Sequence, residues 1–299
     1  MTVLREVTGK PGRLDAVVAR ALGVPRADVQ RAIAEGLVLV DGIARPKSFR
    51  LDGGERISVD LETGRDVPPE GPPLEILYRD PYLAVVAKPA GLVTHPTHTR
   101  RKGTMVNRLL GMDLPLSQVS APYRPGIVHR LDAGTSGLVI VACDDETHEA
   151  LSRMLAGHRV ERRYLALVRG TVEHDRFLVD APIQRRRARI VVRPATGKPA
   201  ETQFEVRERF ENATLVEAAP RTGRTHQIRV HLSAIGHPIL GDRAYGGGGE
   251  DAKRLGLMRP FLHAWKLSFE HPRTGERVEV EDPLPGDLLE ALRRIRREG

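Results

Sequence analysis

An aspartate stands in the middle of RPGIVHRLDAGTSGLVIVA, residues 124–142. Asp132 has Arg130 two positions before it, small and hydroxyl-bearing residues after it, and then an apolar run that reads as a buried strand. A carboxylate in that setting has cationic and backbone donors at hand to keep it ionised for chemistry. The same setting suits an acid that only forms or caps a turn, because Asp readily hydrogen-bonds nearby backbone. From the residues alone both readings stand.

Other groupings lack a part that their chemistry requires. ATGKP ends in Gly197-Lys198-Pro199, without the upstream glycine or the Ser/Thr of a phosphate-binding loop, and reads as a hairpin turn. His226 and His231 are five positions apart, not the four that align two metal ligands on one helix face, and no carboxylate lies between them. GTSG, residues 134–137, is not the G-x-S-x-G elbow of serine hydrolases. A single cysteine, Cys143, excludes an internal disulfide framework and a thiolate zinc site. No metal site is expected.

The charge balance points to a polyanion. Lys and Arg number 47 against 39 Asp and Glu, a net charge of +8, and all but seven of the 47 are Arg. That excess suits nucleic acid first and an acidic membrane surface second, although so strong an Arg bias also fits codon usage. QRRRARIVVR, residues 184–193, gathers Arg185, Arg186 and Arg187, whose guanidinium groups could bind phosphates and stack on bases. A solvated strand face explains the same run.

The elements that must carry these residues divide the 299 positions in two. Hydrophobic residues at 40% and charged residues at 29% are ordinary for a folded chain. RLDAVVARALG and PRADVQRAIAEG read as short helices closed by Gly23 and Gly36, followed by a hairpin turning at Asp41-Gly42 and a strand ERISVDL. ETGRDVPPEGPP then reads as a linker, which places a first domain at 1–62, a Pro-rich linker at 63–73 and a second domain at 74–299. The second domain shows many short β-type runs and few helices, the clearest at 145–157, 225–235 and the basic C-terminal segment. Strands and helices do not alternate regularly, so the expected class is α+β with a mixed, largely antiparallel sheet. YGGGGED reads as a mobile loop. The first ten residues hold no signal-peptide core and no run is long enough for a membrane span, so a cytoplasmic protein without membrane partners is expected.

HRLDAGTSGL, residues 129–138, resembles the signature of the ribosomal large-subunit type of pseudouridine synthases. The resemblance covers nearly the whole chain. The N-terminal unit is similar to the alpha-L RNA-binding domain of that family, and AVVAKPAGLVTHP, RRYLALVRG, RTGRTHQIRVHLSAIGHPILGD and LHAWKLSFEHP match its later blocks in order. The arrangement most resembles the subgroup that modifies a stem-loop of large-subunit ribosomal RNA facing the subunit interface. The resemblance implies the pseudouridine synthase fold and a cofactor-independent isomerisation in which Asp132 is catalytic, as a nucleophile or as a base toward a ribose proton. It further implies that Tyr164 stacks on the target base, that Arg229 pairs with Asp132 with Arg224 as rival, and that Arg130 fills the gap left by a flipped nucleotide. The implied partner is ribosomal RNA, free or in a pre-ribosomal particle, bound by a monomer. Two rivals remain: a synthase for another ribosomal or transfer RNA site, and a non-catalytic RNA-binding assembly protein.

Overall fold

The computed structural model describes residues 5–24, 26–34, 36–59, 67–96, 101–121, 123–186 and 189–298. The chain forms two compact units, 1–66 and 67–299.

In the first unit the helices Leu14–Leu22 and Arg26–Ala34 lie where the apolar spacing predicts them, and Gly23 closes the first in the left-handed conformation, with φ 64°. Asp41 and Gly42 have φ of 50° and 79°, the pair of positive values that a two-residue hairpin turn matching strand twist requires. The hairpin strands Val38–Val40 and Ile43–Ala44 belong to a four-stranded sheet that also contains Arg56–Val59 and, at its edge, Arg5–Thr8. That edge strand has no counterpart in the sequence reading, because four residues are too few to show a period. Leu14, Val18, Val29, Val38, Ile57 and Val59 form the core.

Asp15 is buried in this unit and takes hydrogen bonds from Arg13, Arg26 and Gln30. Burial alone would raise its pKa, but these donors more than offset it and hold the carboxyl below its usual range.

The second unit is built on a nine-stranded sheet among the described residues. The spatial order is Arg176–Asp180, Glu201–Arg209, Ala213–Pro220, Val160–Arg169, Leu262–Glu270, Ser136–Ala142, Leu83–Lys88 and Glu75–Arg79, with Arg277–Glu281 beside the far half of Leu262–Glu270. Every pairing in this sheet is antiparallel except Leu262–Glu270 with Ser136–Ala142, where His263 faces Ser136 and Ala264 faces Gly137. The expected α+β class is therefore the observed one. Gly137 sits at this junction with φ 118°, and a Cβ there would collide with the Ala264 backbone, so only glycine lets the strands close.

Alternate residues of the central strands feed two cores, which explains the unbroken apolar runs. Ala84, Val86, Val139 and Val141 join one cluster, while Leu83, Val85, Leu138 and Ile140 join another. Helices Asp145–Ala156, Gln227–Ala234 and Gly286–Glu298 follow the three predicted segments. Met105–Leu110 and Glu250–Arg254 are additional short helices. Among the described residues, no helix is long and apolar enough to cross a membrane.

One expectation needs correction. The Tyr245–Asp251 stretch is not a free loop, since Gly247 donates to the Asp242 carbonyl at 2.8 Å, its own carbonyl accepts from Gly241 at 2.7 Å, and a helix starts at Glu250. The Pro-rich stretch contains no helix or strand from 67 to 73, but Val67 packs on the larger core, and Asn107 Nδ2 donates to the Pro68 carbonyl at 2.8 Å. These residues are tied to the second unit.

Because Asp15 titrates lower when folded than its reference of about 3.8, its stabilisation is complete above that value and is lost as the pH falls below it. Asp15→Ala is expected to lower first-unit stability at pH 7 by about 1–2 kcal/mol, since half-exposed Arg13 and Arg26 can rehydrate. The deficit should shrink at acid pH. Calorimetry of the full chain at pH 7 and pH 3 measures both; a deficit independent of pH would mean that the carboxylate's charge plays no part.

Candidate active site

The loop carrying Asp132 is pinned on both sides. Thr94 Oγ1 donates to the Leu131 carbonyl at 2.7 Å and accepts from Leu131 N–H at 3.3 Å. Gly91 N–H donates to the Ala133 carbonyl at 2.7 Å. Behind the loop, the buried Lys88 ammonium donates to the carbonyls of Pro89 and Leu92, each at 2.9 Å, and reaches that of Ala133 at 3.5 Å. Burial lowers the Lys88 pKa to about 7, although the Asp132 charge opposes the shift. Just upstream, His129 Nε2 accepts from Ile140 N–H at 2.9 Å, and burial pushes its pKa down to about 3, so the ring is neutral.

A second rigid piece faces Asp132. The helix Gln227–Ala234 is fixed to the sheet through Gln227, whose amide donates to Glu201 O at 2.9 Å and to Thr202 Oγ1 at 3.0 Å. His231 adds contacts with Thr202 Oγ1 and the Ala181 carbonyl, both at 3.0 Å, which occupy both ring nitrogens. On this helix Arg229 donates from Nη1 to Asp132 Oδ2 at 3.2 Å. Its Nε and Nη2 donate to Asp242 at 2.6 and 2.9 Å, and the Tyr245 ring lies 4.9 Å beneath the guanidinium.

Side-chain exposures are 15% for Asp132, 11% for Arg229 and 1% for Asp242, so water screens this cluster weakly. Burial disfavours the Arg229 charge, yet the two carboxylates more than compensate and raise its pKa.

Asp132 and Arg229 line a cleft of about 380 Å³, a size typical of small-ligand sites. Tyr164 is buried in the larger core and also lines the cleft, with a β-bulge between Arg163 and Tyr164. A bulge beside a site re-aims a side chain. Arg130 lies at the exposed rim, its guanidinium 3.4 Å from Nε2 of buried His95, which hydrogen-bonds the Pro96 carbonyl through Nδ1 at 3.0 Å.

Arg224 lines the cleft too, but its Nε donates to the Pro199 carbonyl at 3.2 Å; the cation on Asp132 is Arg229. Arg185 and Arg186 are exposed on the hairpin Ile183–Arg186 with Arg189–Val192, away from the cleft lining, and Arg187 lies outside the described residues. Asp242, Tyr245, His226 and His95 were not legible as site residues. Asp242 follows Arg229 by thirteen positions, a spacing with no regular period, and the only signal for it was the matching ILGD block.

The chain is similar to known proteins along both of its units. Residues 82–234 match the family of RNA pseudouridylate synthases, and residues 12–57 match the S4 domain. A ribosomal large subunit pseudouridine synthase D of Nitrosomonas europaea is 43% identical over 295 residues, covering 95% of this chain and 84% of that one. The chain belongs to the RNA pseudouridylate synthase family. An uncharacterized RNA pseudouridine synthase of Bacillus subtilis, YlyB, is 42% identical over 280 residues, with 92% and 90% covered. Among solved structures, human RNA Pseudouridylate Synthase Domain Containing 4 superposes with a TM-score of 0.59 at 26% identity, over 74% of this chain and 93% of the other. The synthase is thus an RNA-modifying isomerase with an N-terminal S4 domain.

Asp242→Ala in the synthase leaves the Arg229 guanidinium with one carboxylate in a sheltered place. It should destabilise the second unit by about 3 kcal/mol, the lower end for breaking a buried pair. Thermal unfolding measures this; an unchanged midpoint would show that Asp242 does not hold Arg229.

Proposed function

We propose that the synthase isomerises specific uridines of large-subunit ribosomal RNA to pseudouridine, with Asp132 as the catalytic carboxylate. The observation that carries this reading is the Asp132–Arg229 contact at 3.2 Å inside the cleft, with Arg229 itself clamped by Asp242. The choice of RNA follows relatives named ribosomal large subunit pseudouridine synthase D at 40–43% identity.

The reaction breaks the N1–C1′ bond, turns the uracil over and forms a C5–C1′ bond. The proton on C5 is lost and N1 gains one, so atoms and charge balance within the substrate and no cofactor is required. Asp132 serves either as nucleophile at the ribose or as base toward a ribose proton, while uracil leaves as a stabilised anion. Arg229 holds the carboxylate in place through its Nη1 contact. Tyr164 offers a ring for the base, and Arg130 occupies the space the flipped nucleotide vacates, a step costing a few kcal/mol of unstacking. Arg224 at the cleft, and Arg185 and Arg186 on the hairpin outside its lining, supply phosphate contacts, and Arg187 is assigned with them from the sequence. The S4 unit raises RNA affinity. The setting is the cytoplasm, with a monomer acting on ribosomal RNA, free or in a pre-ribosomal particle.

Mapping pseudouridine across ribosomal and transfer RNA in cells with and without the chain tests this reading. Loss confined to large-subunit sites is expected. Loss in transfer RNA alone would transfer the activity to the rival substrate, and no loss anywhere would leave an RNA-binding protein. In a salt titration, a chain beginning at Val67 should bind RNA more weakly and with a shallower slope than the full chain; equal slopes would remove the RNA role of the S4 unit.

A further inference from the structure

His226 faces the same carboxylate but is not used by the mechanism above. It has φ 57°, a left-handed conformation that non-glycine residues seldom adopt and that costs on the order of 1 kcal/mol or more. It stands at the start of the helix Gln227–Ala234 without using its side chain to cap it. The backbone carbonyl accepts from Val230 N–H at 2.9 Å, so the side chain is free of any capping duty.

The side chain is instead held between two partners. Nδ1 is 2.8 Å from the Tyr245 hydroxyl, and Nε2 is 3.9 Å from Asp132 Oδ2. The Tyr245 oxygen accepts from Ile190 N–H at 3.3 Å, and its own proton can be donated to His226 Nδ1. A neutral imidazole accepting at Nδ1 carries its proton on Nε2, on the side of Asp132. Burial lowers the His226 pKa and Arg229 and Arg130 act in the same direction, against the opposing charges of Asp132 and Asp242. The ring is uncharged at neutral pH.

A donor N–H thus faces an acceptor carboxylate across 3.9 Å, too far for a direct hydrogen bond. One oxygen at roughly 2.8 Å from each atom spans that gap. It must accept from the imidazole and donate to the carboxylate, which a hydroxyl does and a carbonyl or phosphate oxygen does not. The uracil offers no fixed partner here, because it has to turn over during the reaction. The ribose stays in place, and its 2′-hydroxyl adjoins the carbon at which the bond is broken and remade.

We infer that His226 and Asp132 together bind the 2′-hydroxyl of the target nucleotide, which makes His226 a specificity-determining residue for ribose over deoxyribose. This rests on the reading of Asp132 as the carboxylate that acts at the target ribose. Tyr245 is then a positioning residue, fixing the tautomer of His226 from one side while its ring supports Arg229 from another.

The test uses a synthetic stem-loop around a uridine identified by the mapping above, made with pseudouridine at that position so that nothing is converted. Two versions differ only in a 2′-hydroxyl or 2′-deoxy sugar at the target. The full-length enzyme should bind the hydroxyl form about tenfold more tightly. His226→Asn tolerates the left-handed backbone but is too short to reach, and should narrow the ratio to within about twofold. Tyr245→Phe keeps the ring under Arg229 and frees the imidazole, and should narrow it partly. A purely structural role would weaken both RNAs alike, so an unchanged ratio in either variant, or no preference in the parent enzyme, overturns the inference. Failure of the Asp132 reading would be seen separately, as turnover by an Asp132 variant.

Discussion

The Arg229 guanidinium is shared between two carboxylates, and the rest of the catalytic unit is arranged so that this sharing can occur. A long side chain on one helix would not hold a single orientation toward Asp132 without help, because its rotamer entropy opposes ordering. The bidentate contact with Asp242 removes that freedom, and the Tyr245 face removes more. The third donor of the fork is left directed at Asp132. Exposures of 11% and 15% for Arg229 and Asp132 place the pair where Coulomb attraction is stronger than in open water but desolvation is incomplete.

The two partners lie 97 positions apart in the chain, so their meeting depends on the sheet. The parallel pairing within the nine-stranded sheet, at His263–Ser136 and Ala264–Gly137, sets the start of the strand that follows the Asp132 loop near the sheet centre. Gln227 and His231 tie the Arg229 helix to the Glu201–Arg209 strand and to Ala181, just past the Arg176–Asp180 strand. Thr94 and Lys88 hold the opposite loop. Neutral groups do most of this fixing, which leaves the charge in the cleft to Asp132 and the arginines around it.

The strands, the longer helices and the Asp41-Gly42 turn were legible because periodicity and turn chemistry are local properties. Asp132 was legible as a carboxylate in a loop before a buried strand, and resemblance supplied its partner. What could not be read from the residues is the closure of the site: Asp242 and Tyr245 sit in a glycine-rich stretch that looks unstructured, and only packing against Arg229 and His226 reveals their use. His95 and Lys88 escaped for a related reason, since both act by hydrogen bonds to segments that are distant in sequence or carried by backbone carbonyls. The contacts of residues 67–73 were not legible because proline content gives no information about tertiary hydrogen bonds such as Asn107 to Pro68.

The central claim is that the charge on Asp132 performs the chemistry. Single-turnover assays of purified Asp132→Asn, with RNA binding measured on the same sample, test it most directly, since the substitution keeps size and removes the charge. The account predicts no pseudouridine formation while affinity stays within about tenfold, or about 1.4 kcal/mol. Measurable turnover by the bound Asn variant would contradict it.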